Sequence, residues 1–496
     1  MRANSLFRSS FAEPFVCRSC ARSIHQRKRR FASATSSTSP DIYDVVCVGG
    51  GPAGLSLATA LRASKATSHL KIALVESQDL DRTRKWKLAP DQYSNRVSSL
   101  TSSSVDYLDA IGAWPHIQRS RIQPYTEMQV WDGVTGSRIS FDWPSTPGGR
   151  ARKSKTIASM TENLNLTSAL LRRLDELGGV SIFDSSAVEN IDFGPTESTN
   201  GGWDLSSWPV VELSGNRSLA ARLLVGADGP NSPVRKFAGI ESRGWDYDRH
   251  AVVATVRLEG EGWGQGPDEK IAYQRFLPTG PVALLPLPGN FSTLVWSTTP
   301  SHAAHLKSLP PSHFAALVNA SFRLSPPDLA YMHTSHCQDP VDELAWREQH
   351  TDFSTDLIPQ KVVDVQEGTV AGFPLKMRHA DTYYGERVAL VGDAAHSIHP
   401  LAGQGLNQGQ GDVQSLVHTI EDAVLHGGDI GSQLSLAPFG SSRYAENNTL
   451  LGTVDKLHKL YSVESGPIVG LRSWGLDLVN RAGFAKEALM QRAAGG

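Results

Sequence analysis

Three glycine-bearing segments, far apart in the chain, carry residues suited to holding a phosphorylated dinucleotide. They are Gly49-Gly50-Gly51-Pro52-Ala53-Gly54, Gly226-Ala227-Asp228-Gly229 and Gly392-Asp393-Ala394-Ala395-His396. The first has the spacing Gly49-x-Gly51-x-x-Gly54 and follows the apolar run Tyr43 to Val48. In that pattern the early glycines allow a tight turn and close approach of a pyrophosphate to bare backbone, and Gly54 lets the next helix pack on the strand. Pro52 and Ala53 open that helix, whose N-terminal N–H groups would face the phosphates. A second strand-like run, Lys71 to Val75, ends in Glu76, 22 residues after Gly54, where an acid accepts from a ribose hydroxyl. A Gly-rich turn that binds nothing is the competing reading, and this segment alone does not separate NAD from FAD.

The third segment makes that separation. Val388 to Val391 reads as a short strand closed by Gly392-Asp393, which positions Asp393 for a ribityl hydroxyl. Farther on come Gly403, Gly405, Leu406 and Asn407, then a helix with Val413, Leu416, Val417, Ile420 and Val424 at helical spacing. The start of that helix would stabilise negative charge on a reduced isoalloxazine ring. The middle segment reads as strand, Asp228-Gly229 turn and helix start; its weight comes from its place between the other two. His396 reads as a packing or capping residue, and neither it nor His399 has a metal-ligand partner at useful spacing.

With these motifs in order, the chain from about residue 41 to 480 resembles the aromatic-ring flavoprotein monooxygenases of the para-hydroxybenzoate hydroxylase type. Tyr93 to Ser99, Gln274 to Pro281, Ala283 to Leu287, Leu294 to Ser297, His399 to Asn407 and Leu471 to Leu476 sharpen the resemblance to the mitochondrial ubiquinone-biosynthesis monooxygenases. Gln408 departs from it, being polar where an apolar residue is expected, and residues 301 to 370 show little to match. The resemblance implies an α/β (α+β) fold. A Rossmann-like FAD-binding domain is interwoven with a mixed β-sheet substrate domain, and C-terminal helices follow. It implies FAD as cofactor, held by Gly49, Gly51, Pro52, Ala53, Gly54, Glu76, Arg96, Asp228, Gly392, Asp393, Gly403, Gly405, Leu406 and Asn407. Without the family match, Arg96 reads as a surface helix arginine.

The implied boundaries are a transit peptide at 1–40, FAD-binding parts at 41–125, 221–243 and 381–430, an interwoven segment at 126–220, a substrate sheet at 244–380 and helices at 431–496. The implied reaction is hydroxylation of 3-polyprenyl-4-hydroxybenzoate at ring position 5, through O2 and a flavin C4a-hydroperoxide. Hydroxylation of a polyprenyl-methoxyphenol is also implied. Electrons would come from a ferredoxin and its reductase, and the enzyme would join other ubiquinone-biosynthesis proteins as a peripheral protein on the matrix face of the inner membrane. No protein acid or base is assigned. Two alternatives stay open: an NADPH-dependent phenol hydroxylase of secondary metabolism, and a non-catalytic prenyl-binding escort protein on a related fold.

Composition agrees with this reading. Residues 1–40 hold eight Lys or Arg, nine Ser and one acid, Glu13, the composition of a mitochondrial transit peptide, with cleavage expected between Phe31 and Pro40. Without them, 40 basic residues face 49 acidic ones, a poor balance for nucleic acid. Four cysteines, two of them (Cys17 and Cys20) in the presequence, make no disulfide framework and no zinc site. No run approaches the ~20 apolar residues that span a bilayer. The substrate sheet is expected as antiparallel strands around Val252–Val256, Ile271–Phe276, Val282–Leu287 and Phe291–Trp296. Leu450, Leu451, Val454, Leu457, Leu460 and Tyr461 form one C-terminal apolar stripe. Ile468, Val469, Leu471, Trp474, Leu476, Leu478 and Val479 form a second, read as core packing or as a membrane- or partner-facing surface.

Overall fold

Short runs of β-branched and leucine residues form the central layer. In the computed structural model, which describes residues 39–142, 156–195, 204–260, 270–334, 336–351, 358–397, 403–463 and 465–481, an eight-stranded sheet carries a parallel run. Its order is Val388–Leu390, Arg217–Gly226, Asp41–Val48, Ile72–Val75, Val180–Phe183. The central strands are apolar throughout because both of their faces are buried. Leu55 and Leu61 from the helix Pro52–Ala63, Leu170 and Leu174 from Asn163–Leu177, and Leu416 and Ile420 from Gly405–Leu425 are all buried in the same core.

The register decides where chemistry can happen. Val48 pairs with Gly226 on one side and Val75 on the other, and Gly226 pairs with Leu390. Parallel strands ending level send their following turns out along one edge, the edge where ligands bind in open α/β sheets. The three glycine-bearing turns therefore lie side by side.

A second, nine-stranded sheet is mixed. The strands Ser242–Leu258, Phe291–Thr298, Gly280–Pro286 and Ile271–Leu277 pair antiparallel in that order, as their alternating pattern requires. Beyond that pattern, Ile271–Leu277 pairs in parallel with Glu127–Asp132, which brings the 126–142 region into this sheet. One face, with Val252, Leu284, Leu294 and Trp296, packs under the helices Pro300–Ser308 and Pro311–Arg323. Ala272 and Leu287 pack instead against Tyr93, Tyr125 and Met160, beside a three-stranded sheet of Val97–Thr101, Ala158–Glu162 and Gln123–Tyr125.

Two helices close the described chain, Gln433–Tyr461 and Pro467–Arg481. The first expected stripe divides: Leu451, Val454 and Tyr461 are buried but Leu457 is exposed. The second helix turns Leu471, Trp474 and Leu478 outward. Among the described residues no helix is long and apolar enough to cross a membrane. The segment expected as a transit peptide, through Thr38, and the stretch Pro400–Ala402, with His399, lie outside the described residues.

Candidate flavin site

The first two turns are built by close backbone contact. Gly49 has φ +112°, and a Cβ there would sit 2.2 Å from the Ala227 carbonyl oxygen. A Cβ on Gly54 would sit 1.9 Å from the Gly49 oxygen. Ala227 N donates to Val48 O at 2.8 Å, and Gly49 N to Val75 O at 2.8 Å. Gly51 differs: its φ is −75°, and a Cβ there would meet nothing within 4 Å. It precedes a helix start with no side-chain cap and no acid in the first turn. Open space over unsatisfied helix N–H groups is what a pyrophosphate needs. Glu76 is already turned to this loop, its Oε2 accepting from Gly50 N at 2.5 Å.

The middle and third turns are stitched to each other. Val391 N donates to Gly226 O at 3.0 Å, and Arg235 Nη1 donates to Ala394 O at 2.6 Å. Asp228 Oδ2 accepts from Val234 N at 3.2 Å, while its Oδ1 is buried without a partner among the described residues. Burial raises the Asp228 carboxyl pKa above its ordinary value. Asp393 keeps an exposed side chain, yet the surrounding protein still raises its pKa by desolvation, the combination expected on the floor of a crevice. Gly392, at φ +60°, lies against Ala53 and Gly409, so small residues let the turn, the first helix and the helix Gly405–Leu425 meet. That last helix also begins without a side-chain cap or a first-turn acid, with Gly405 and Leu406 half-buried and Gly403 at φ +58° just before it.

Two expected residues stand apart from this geometry. Arg96 is exposed and lies in the coil before Val97–Thr101 rather than on a surface helix, and its side chain has no hydrogen bond or ion pair among the described residues. The Asn407 side chain is committed elsewhere. Its Nδ2 donates to Ser99 O at 2.7 Å, and its Oδ1 accepts from Thr101 N at 3.0 Å and Ser104 Oγ at 2.8 Å. It ties the helix to the small sheet, leaving its backbone for any ligand contact.

A buried polar cluster behind the third turn was not expected. Asp412 Oδ2 accepts from Gly392 N at 3.0 Å and His396 Nε2 at 2.6 Å; its Oδ1 accepts from Arg443 Nε and Asn447 Nδ2, both at 2.9 Å. Contact with His396 and Arg443 outweighs burial and holds the Asp412 carboxyl down at about 2. Gln408, the residue out of pattern, joins the same cluster through Asn447 at 3.3 Å. The sequence signal was Asp412 itself, a charge directly beside Val413 on an apolar helix stripe.

A cavity of about 450 Å³ opens elsewhere, lined by Leu277, Pro278, Thr279, His302, Pro326 and His333 among others, and includes none of the turn residues. The His302 and His333 rings stack at 4.0 Å, and His305 Nδ1 lies 3.3 Å from His333 Nδ1. Burial pushes His333 down from 6.5 to about 3, with a smaller contribution from the neighbouring imidazoles. The unfolded chain therefore takes up this proton first. Stability is fully present above about 6.5 and falls as pH drops toward about 3. We expect His333→Gln to flatten the dependence of melting temperature on pH between about 6.5 and 4. Thermal melts across that range check it, and an unchanged slope would count against this origin.

Parallel strands carrying three level turns, joined to a mixed sheet, define a flavin-dependent monooxygenase fold. Residues 42–323 and 329–432 match the FAD binding domain family. In fold, the chain is similar to p-nitrophenol 4-monooxygenase PnpA from Pseudomonas putida DLL-E4, with TM-score 0.63, 18% identity, and 92% of this chain and 99% of that one covered. It is likewise similar to PqsL from P. aeruginosa, with TM-score 0.60, 19% identity, and 86% and 98% covered. Closer in sequence is the mitochondrial ubiquinone biosynthesis monooxygenase COQ6 of Schizosaccharomyces pombe, 41% identical over 459 residues and 92% of each chain. The Saccharomyces cerevisiae protein of that name is 40% identical over 491 residues, covering 94% of this chain and 96% of the relative. The Homo sapiens one is 36% identical over 470 residues, covering 94% and 95%. The chain belongs to the COQ6 family of FAD-dependent ubiquinone biosynthesis monooxygenases.

Proposed function

We propose that this enzyme hydroxylates 3-polyprenyl-4-hydroxybenzoate at ring position 5, and a polyprenyl-methoxyphenol as a second substrate. The observation that carries the reading is membership in the ubiquinone biosynthesis monooxygenase family. Beside it, the buried apolar cluster of Ala272, Leu287, Tyr93, Tyr125 and Met160 flanks a small sheet that Asn407 ties to the helix following the third turn. Packed apolar side chains there keep water from that side of the reacting centre. FAD, when bound, supplies the oxygen-activating chemistry.

This chain's residues bind and orient. In this reading Gly49, Gly51, Pro52, Ala53 and Gly54 receive the pyrophosphate at the first helix, Glu76 exchanges Gly50 N for a ribose hydroxyl, and Asp228 and Asp393 approach the ribityl side. Gly392 shapes the third turn. Gly403, Gly405, Leu406 and the Asn407 backbone present N–H groups to the ring, and the exposed Arg96 closes over the cofactor. Lys270 is buried beside the apolar cluster. Its amine donates to Leu287 O at 3.3 Å and to Gly289 O, and burial pushes its pKa down to about 8.

The family resemblance supports a mitochondrial enzyme that takes electrons from a ferredoxin and its reductase, in company with other ubiquinone-biosynthesis proteins at the matrix face of the inner membrane. The outward stripe Leu471–Trp474–Leu478, with Lys456, Leu457 and Lys459 also exposed near the end of the preceding helix, has the apolar and basic character of a surface that meets anionic lipid.

The test is stopped-flow reduction of the purified holoenzyme by reduced mitochondrial ferredoxin and by NADPH, with a short-chain prenyl-hydroxybenzoate present. Reduction by ferredoxin and a 5-hydroxylated product are expected. Rapid reduction by NADPH alone would replace this reading with that of a phenol hydroxylase.

A further inference from the structure

The buried cluster behind the third turn does more than fill space. Asp412 is fully buried, and one of its oxygens, Oδ2, accepts from both ends of the segment that contains Asp393: Gly392 N before it and His396 Nε2 after it. The other oxygen is held by two residues one helical turn apart on Gln433–Tyr461. Arg443 Nε and Asn447 Nδ2 donate to Oδ1, Arg443 Nη2 donates to Asn447 Oδ1 at 2.9 Å and to Gln408 O at 3.4 Å, and Arg443 Nη1 donates to Glu446. Tyr383 packs against His396 with ring centres 5.7 Å apart.

A buried ion pair is a poor device for stability alone, since apolar residues of similar volume often serve as well or better. This one also tolerates orphans: His396 Nδ1 and Gln408 Oε1 are buried with no partner among the described residues. The cluster satisfies the turn at the expense of its own polar atoms. Gly392 stands at φ +60°, a conformation open to glycine, and the bond to its N–H fixes where the next residue starts.

We propose that Arg443 and Asn447 are positioning residues for the flavin: they hold Asp412 in place, and Asp412 holds the turn that presents Asp393. The C-terminal helix thereby becomes part of the cofactor site without touching the cofactor. This rests on the reading that Asp393 lies at the flavin.

The experiment titrates FAD into apoprotein of the full chain and records, beside affinity, the melting temperature of the apoprotein and the visible circular dichroism of the bound flavin. The variants are Arg443→Gln, Arg443→Lys, Asn447→Leu, Asp393→Asn and, as a buried arginine bonded elsewhere, Arg472→Gln. Arg443→Gln and Asn447→Leu are expected to weaken FAD binding by about tenfold or more and to alter the dichroism, with partial recovery in Arg443→Lys. Arg472→Gln is expected to lower the melting temperature but leave FAD affinity within about twofold. Should Arg443→Gln not fold, Asn447→Leu and Arg443→Lys decide.

Affinity and dichroism unchanged in the Arg443 and Asn447 variants would overturn the proposal. So would losses no greater than those of Arg472→Gln. If Asp393→Asn loses FAD while they do not, only this inference fails; if Asp393→Asn binds as the parent does, the site reading beneath it fails.

Discussion

A Gly51→Val variant is expected to fold like the parent yet lose FAD affinity by about a hundredfold or more, while Gly54→Ala is expected to fail in the fold itself. Both glycines belong to one motif, and the structure separates their reasons. A Cβ on Gly54 would lie 1.9 Å from the Gly49 oxygen and 3.2 Å from Cys47 Sγ, inside the contact between helix and strand. Neither neighbour can retreat, because Gly49 is itself pressed on Ala227 and Cys47 is fully buried in the central strand. Overpacking of this kind costs about 3 kcal/mol, and any loss of flavin would follow from loss of structure. Gly51 has ordinary extended backbone and empty space beyond its Cα. Valine there costs the apoprotein under about 1 kcal/mol, chiefly as a poorer helix cap. Its side chain would occupy the space over the first-turn N–H groups. Urea denaturation of the apoproteins and FAD titration separate the two effects. If Gly51→Val binds FAD within about threefold of the parent, the pyrophosphate does not lie over that turn.

The same contrast shows why so much of the site was legible. Gly49, Gly51 and Gly54 are written into one short stretch because strand, turn and helix are consecutive, and each local rule names its residue. The parallel strands follow from short apolar runs, and the level turns follow from the strands. What could not be read is what the chain closes over long distances. Asp412 and Arg443 come from different helices, and nothing in either stretch names the other. Gln408 looked out of place for the same reason, since its partner Asn447 lies 39 positions on. The parallel pairing of Ile271–Leu277 with Glu127–Asp132 leaves no mark, because a strand buried in a sheet reads alike whichever neighbour it takes. Spacing located the helix start at Asn407 and could not show that Ser99 O accepts from its side-chain amide.

The two faces of the helix Pro467–Arg481 should respond to mutation in opposite ways. On the inner face Arg472 and Asp132, both side chains 1% exposed, form a two-point bond at 2.8 and 3.1 Å. Arg472 Nη1 also donates to Leu460 O at 2.9 Å and Val463 O at 2.6 Å, capping the preceding helix. Arg472→Met removes all of this at once. Asp132 keeps Val134 N at 2.9 Å and Thr135 Oγ1 at 3.1 Å, so the expected loss is about 3 kcal/mol, the lower end for a broken buried pair. Urea denaturation measures it, and protease should cut between the two helices sooner. On the outer face Leu471, Trp474 and Leu478 are 65%, 67% and 50% exposed and stand one turn apart. Serine at all three should leave the denaturation midpoint within error, because none of the three supports the core. Binding to vesicles containing anionic lipid should nevertheless fall by about a thousandfold or more, the worth of burying most of one Trp and two Leu side chains at about 1.5 kcal/mol each. The parent's binding should weaken with salt, because Lys456 and Lys459 are exposed nearby on the preceding helix. Vesicle binding that survives the triple change would place the lipid contact on another surface. A triple variant as unstable as Arg472→Met would mean that the stripe belongs to the core after all.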